Sequence, residues 1–324
     1  MLSEKLLNMP KIDLHCHLDG SLTLECVQDL YEKPVTLQEL QVSEDCQNLA
    51  EYLEKFDLPL ECLQTADGLK KASKAFLCDL TKDQVSYVEV RFAPLLHINK
   101  QLSCEQILEA VIEGLEEAKK ETGIYYNVIA CAMRHHTEEE SMEMFKAARK
   151  FLGKGLCAVD LAGNEAAFPM KNFEKLFAYA RELELPFTIH AGECGSVENV
   201  VDSVNAGARR IGHGIALKGN KEAMGLCREK KIGIEMCPIS NMQTKAVADP
   251  ADYPIREFLD AGLKVTLNTD NRMVSNSTLA KEIEFVQKNY GITDEEIWKM
   301  TENAIEVSFA NDEVKQMLLK KLNG

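Results

Sequence analysis

The sequence predicts an α/β protein, a (β/α)8 TIM barrel with a helical insertion after its first strand, and three observations carry that prediction. Eight short β-branched runs alternate with longer helical stretches. From the second run to the eighth their onsets recur about every 30 residues, the length of one strand–helix unit. The 324-residue chain suits one barrel of this size, so residues 1–324 are read as a single domain. A doubly wound open sheet is the competing arrangement, and periodicity alone does not separate the two. No G-x-G-x-x-G follows a predicted strand, which removes the usual nucleotide fingerprint of that competitor.

The predicted strands are Lys11–Cys16, Val85–Phe92, Tyr126–Met133, Leu156–Leu161, Phe187–His190, Arg209–Gly212, Ile232–Cys237 and Lys264–Thr269. Helix starts are marked between them. Ser103 stands three before Gln106, Thr137 three before Glu140, and Thr293 three before Glu296, each a capping-box pattern, and Gly123 supplies a stop for the first of these helices. Roughly residues 21–84 separate the first two strands, room for several extra helices punctuated by Pro34 and Pro59. Within them Ala50–Leu63 is read as an amphipathic cap over the barrel mouth.

Composition narrows the function. Fifty-two acids against 37 bases give a net charge of −15, and no basic run exceeds pairs such as Arg209-Arg210. Phosphate backbones and anionic bilayers are held by clustered Lys and Arg, so neither nucleic acid nor a membrane surface is an expected partner. No run approaches 18 apolar residues, so no transmembrane helix is expected. Eleven scattered cysteines, with no C-x-x-C and no signal-peptide pattern, read as reduced thiols of a cytoplasmic protein.

The uncommon residues fall at strand ends. Of only seven histidines, four close predicted strands: His15 and His17, His190, and His213. Asp270 closes the eighth. In His15-Cys16-His17 the two rings lie two residues apart, so on a strand they share a face. Taken singly, His190 reads as a core histidine and Asp270 as a helix cap. A closed barrel, however, brings its eighth strand beside its first, and the four together form an imidazole–carboxylate set suited to Zn²⁺. His213 is either a further ligand or a base acting on metal-bound water. Glu193, just past His190, sits where a proton-transfer role is available. Strand four ends Val159-Asp160-Leu161-Ala162-Gly163 without the bridging lysine of many two-metal barrels, so one ion is expected per chain.

With these residues in place, the chain resembles the adenosine deaminase family of the metal-dependent amidohydrolase superfamily. The likeness runs in order through Lys11-Ile-Asp-Leu-His-Cys-His-Leu-Asp-Gly-Ser21, Tyr87-Val-Glu-Val-Arg-Phe-Ala-Pro94, Val159-Asp-Leu-Ala-Gly-Asn-Glu165, His190-Ala-Gly-Glu193, Arg210-Ile-Gly-His-Gly214, Cys237-Pro-Ile-Ser-Asn241 and Leu267-Asn-Thr-Asp270. The resemblance implies zinc on His15, His17, His190 and Asp270, with a small purine nucleoside as substrate. It implies that Glu193 protonates purine N1 while His213 and Asp270 orient and deprotonate the water. Asp19 would meet a ribose hydroxyl, and the Gly163 N–H would meet N3. Leu53 and Phe56, in Tyr52-Leu-Glu-Lys-Phe56-Asp57, match an apolar gate.

The implied reaction converts adenosine, and 2′-deoxyadenosine, to inosine or deoxyinosine plus ammonia. Zinc lowers the pKa of bound water from 15.7 to about 7, and the resulting hydroxide attacks purine C6 once N1 is protonated. Zinc-dependent cytosine and tRNA-adenosine deaminases use an H-x-E…P-C-x-x-C site instead, absent here. One position departs from the pattern: many members carry a second acid after the strand-eight Asp, where this chain has Asn271. An amide N–H can donate to purine N7 without first being protonated. Adenine or a modified adenosine is the near alternative as substrate, and a catalytically silent purine binder the distant one.

Overall fold

The computed structural model describes every residue except 1, 32, 44, 45, 47, 48, 100 and 195, and the side chains of 49 and 50. Among the described residues there are eight strands: β1 (Lys11–His17), β2 (Val85–Phe92), β3 (Tyr125–Met133), β4 (Leu156–Ala162), β5 (Thr188–Ala191), β6 (Arg210–His213), β7 (Gly233–Met236) and β8 (Lys264–Leu267). Their ends lie within two residues of those predicted. All pair in parallel, in the orders β1-β2-β3-β4 and β5-β6-β7-β8. Two parallel bridges close these halves into a barrel, Val159 with Phe187 and Cys16 with Asp270. At the second seam His17 N–H donates to the Asp270 carbonyl at 2.7 Å, and Asp270 N–H donates to the His15 carbonyl at 2.8 Å.

The alternation along β2 explains how the barrel is filled. Val88, Val90 and Phe92 share one face of the strand, and Tyr87, Glu89 and Arg91 the other, yet every one is buried. Arg91 reaches Asp160 of β4 at 2.9 Å and Glu235 of β7 at 2.9 Å. Neither strand is a neighbour of β2, so these contacts cross the lumen. Arg210 of β6 meets Glu89 at 2.6 Å and Glu235 at 2.5 Å. The barrel is therefore plugged by paired ions where an aliphatic core would be the common solution.

The capping boxes form as the sequence predicts, starting helices Cys104–Thr122, Glu138–Arg149 and Asp294–Val307. Gly123 ends the first in the left-handed region, φ 74°. The segment between β1 and β2 folds into short helices at Leu24–Tyr31, Leu37–Leu40, Leu49–Leu53, Asp57–Cys62 and Ala66–Asp79. The single cap expected over Ala50–Leu63 is broken by a 3₁₀ turn at Glu54–Phe56. Pro59 accounts for the break: it has no N–H to extend a helix from Ala50, but none is needed in the first turn of a new helix. Tyr52 pins this segment over the end of β8, its hydroxyl 2.7 Å from Ser275 Oγ. Among the described residues no helix is long and apolar enough to cross a membrane.

Candidate active site

At the C-terminal ends of the strands lies a cavity of about 320 Å³. Its lining includes His17, Asp19, Leu53, Phe56, Gly163, His190, Glu193, His213, Asp270 and Asn271. Those are all the site residues singled out from sequence except His15, which is buried beneath. His135 also lines it, a residue for which the sequence offered no role.

The polar atoms converge tightly. His17 Nε2 lies 3.2 Å from His190 Nε2, and Asp270 Oδ1 lies 3.4 Å from His15 Nε2 and 3.5 Å from His17 Nε2. Two overlapping sets have ligand atoms within 4.8 Å of one another: His15, His17 and Asp270, and His15, His190 and His213. Partners behind the rings orient them. His15 Nδ1 is 2.8 Å from Glu235 Oε2, and His190 Nδ1 is 2.8 Å from Asp160 Oδ2. His15 Nε2 is buried without a hydrogen-bond partner among the described residues and faces the cluster. Imidazoles backed by carboxylates in this way are the usual arrangement around a divalent cation, so the cluster fits such an ion.

Charge follows from this crowding. Burial pushes the Asp270 carboxyl up, but His15, His17 and His213 outweigh it and hold the group well below the usual carboxylate range. Burial, reinforced by His190 and His15 against the pull of Asp270, holds His17 well below its ordinary value. His17 is therefore neutral at pH 7, as a metal ligand must be. Asp19 is pushed up to about 6 by burial, and its Oδ1 has no hydrogen-bond partner among the described residues. That oxygen is an acceptor lacking a donor at the cavity wall.

Backbone strain marks the same place. His213 and Asp270 take φ of 64° and 59°, left-handed values rare for residues with a side chain. His213 ends β6 and Asp270 lies three residues past β8, and both line the cavity. The short helix Pro238–Gln243 and the residue after it secure three of these groups. Ser240 Oγ donates to Asp270 Oδ2 at 2.5 Å, Asn241 Nδ2 lies 3.0 Å from His213 Nδ1, and Thr244 Oγ1 donates to Glu193 Oε1 at 3.3 Å. Glu193 Oε2 stands 3.7 Å from His213 Nε2.

Several of these supports were missed in the sequence reading. Asp160, Glu165 and Asn241 lie inside quoted motifs but had no role assigned; Glu235 and Arg134 had none either. Arg134 donates to the His190 carbonyl at 2.7 Å and to the Phe168 carbonyl at 2.6 Å. For Asp160, Glu235 and Arg134 the available signal was a charged side chain within or just past an otherwise apolar strand.

Comparison with known proteins gives a consistent picture. The family model for adenosine deaminase matches residues 10–324. An adenosine deaminase of Enterococcus faecalis is 42% identical, covering 100% of this chain and 98% of that protein. One of Clostridium botulinum is 44% identical, covering 96% of each. Among solved structures, an Arabidopsis N6-mAMP deaminase superposes with a TM-score of 0.87 at 26% identity, covering 99% of both chains.

Proposed function

This chain belongs to the adenosine deaminase family and is a metal-dependent hydrolytic deaminase of adenosine; from that premise we propose how its residues divide the work. His15, His17, His190 and Asp270 hold one zinc ion. Bound there, zinc makes water acidic enough to yield a nucleophile at neutral pH.

The remaining steps belong to side chains and backbone of this protein. Leu53 and Phe56 border the cavity and exclude bulk water from the purine. Asp19 accepts a hydrogen bond from a ribose hydroxyl, the Gly163 N–H donates to N3, and the Asn271 amide donates to N7. His213 and Asp270 orient the attacking water and take its proton. Glu193 delivers a proton to N1 as the water oxygen bonds to C6, so the ring nitrogen accepts the displaced electron pair. The His213–Asp270 pair returns the proton taken from water to the exocyclic nitrogen, the C6–N6 bond breaks and ammonia leaves. The remaining hydroxyl proton passes to Glu193 as C6=O forms, so one water is consumed and inosine released with the acid restored.

The observation that carries this reading is the convergence of the His/Asp cluster, Glu193 and His213 on one cavity. The partnerless Asp19 oxygen favours a nucleoside over free adenine, which brings no hydroxyl to that acceptor. The test follows adenosine-to-inosine conversion by ultraviolet absorbance before metal removal, after it, and after zinc is restored. Turnover should vanish and return, with adenosine preferred over adenine. Glu193→Gln should keep its zinc and lose about 10²–10⁴ in rate, the scale of a general acid. Near-normal turnover in that variant would refute the proton-transfer role.

A further inference from the structure

Glu165, at the end of the Val159–Glu165 motif, is the remaining carboxylate of that motif without a role in the reaction. It is buried at 3% exposure, and four donors surround it. Its Oε1 accepts from Gly192 N–H at 2.6 Å and Asn199 Nδ2 at 2.9 Å. Its Oε2 accepts from Glu193 N–H at 3.0 Å and Cys194 N–H at 3.2 Å. Three consecutive peptide N–H groups thus point at one carboxylate, the concave anion-binding geometry that successive amides form. Here the anion comes from the protein itself.

The turn it grips is the one that carries Glu193. Gly192 has φ of 78°, and a Cβ there would meet Val200 Cγ2 at 2.7 Å, so the turn is tight on its far side as well. The other end of the loop is also braced. Asn164 Oδ1 accepts from Ala167 N–H at 3.0 Å, and Arg134 ties Phe168 to His190 through their carbonyls. Gly163, with φ of 99°, opens this same loop at the cavity.

We infer that Glu165 is a positioning residue that sets the direction of the Glu193 carboxyl by occupying the three N–H groups of its turn. The β4 loop then carries the purine contact at Gly163 and the anchor of the proton donor two residues later. Ring nitrogen and acid are held in one frame. Without the carboxylate, three inward-facing N–H groups seek other partners and the turn relaxes. A displacement of about 1 Å at a reacting group can cost on the order of 10²-fold in rate.

The inference rests on Glu193 being the proton donor, and a double-mutant cycle separates the two claims. Glu165→Gln offers a single acceptor oxygen and turns an NH₂ group toward the remaining N–H donors. It should lower kcat about 10–100-fold, with KM within about threefold and zinc content measured by atomic absorption unchanged. In a Glu193→Gln background the same substitution should cost less than about threefold, because there is no longer an acid to aim. Equal losses in both backgrounds, loss of zinc, or a rise in KM with kcat intact would overturn the inference. Full activity of Glu193→Gln alone would instead overturn the proton-donor assignment. Glu165→Ala, if it folds, should be at least as impaired in kcat as Glu165→Gln; a milder defect would count against the carboxylate's role.

Discussion

Replacing Glu235 by Gln changes no shape and one charge, and its consequences can be worked through atom by atom. Oε2 serves His15 Nδ1 at 2.8 Å and Arg91 at 2.9 Å; Oε1 serves Arg210 at 2.5 Å and Thr188 Oγ1 at 2.9 Å. Glutamine leaves one edge an acceptor and turns the other into an NH₂ group facing two donors. Arg91 keeps Asp160 and the Leu14 carbonyl, and Arg210 keeps Glu89, so neither guanidinium is stranded. If the amide nitrogen replaces Oε2, the His15 ring can meet it only by accepting at Nδ1. Its proton then moves to Nε2, where the proposed zinc ligation would need the lone pair. If it replaces Oε1, Thr188 and Arg210 face a donor. Breaking a buried pair costs about 3–5 kcal/mol, and the surviving partners place this one near 3 kcal/mol. A lost carboxylate behind a metal-bound imidazole weakens metal affinity about 10–100-fold. Urea unfolding of metal-free wild type and variant at pH 7 reads the first figure, and zinc competition with a chromophoric chelator reads the second. Stability within about 1 kcal/mol of wild type together with unchanged zinc affinity would refute the argument.

Three further outcomes are expected. Asn271→Asp should make KM pH-dependent between pH 6 and 8, improving toward acid, because a carboxyl donates to N7 only when protonated; a flat KM profile would count against that contact. Gly20→Ala should raise KM about tenfold, near the value of one hydrogen bond, because its Cβ would lie 2.0 Å from Asn271 Oδ1 and displace that side chain; an unchanged KM would show that Asn271 can yield without loss. Burial pushes the Glu282 carboxyl up to about 8 from an ordinary 4.5, so the folded state holds a proton that the unfolded chain releases. Stability from this group is full below about 4.5 and lost as pH rises through about 8, on the order of a few kcal/mol. Glu282→Gln should therefore gain on wild type between pH 5 and 8 in urea unfolding, and parallel curves would contradict the assignment.

Much of this molecule was legible because its signals are local. Ser103, Thr137 and Thr293 each carry their capping partner three residues on, and all three helices start where those pairs stand. His15 and His17 share a strand face whatever the rest of the chain does. The ionic plug was illegible for the opposite reason. Glu235 in Gly233-Ile-Glu-Met236 meets Arg210 of the preceding strand, but only closure of the barrel supplies Arg91 from β2, far away in sequence. The break at Glu54–Phe56 was signalled by Pro59, but amphipathic spacing across Ala50–Leu63 masked it. Glu165 is illegible for another reason: three of its four partners are backbone N–H groups that no side-chain pattern reveals.

The seam between β8 and β1 has a consequence for how the protein is made. His15 and His17 leave the ribosome before Asp270, whose carbonyl pairs with His17 N–H and which comes some 255 residues later. At roughly 5–20 residues per second the nascent chain carries that unfinished edge for about 10–50 s. Throughout that interval the two imidazoles have no strand-eight partner and the first strand has one unpaired side. The contact that joins the eighth strand to the first is thus also the one that brings Asp270 to the two imidazoles, so shape and the His/Asp cluster are completed together.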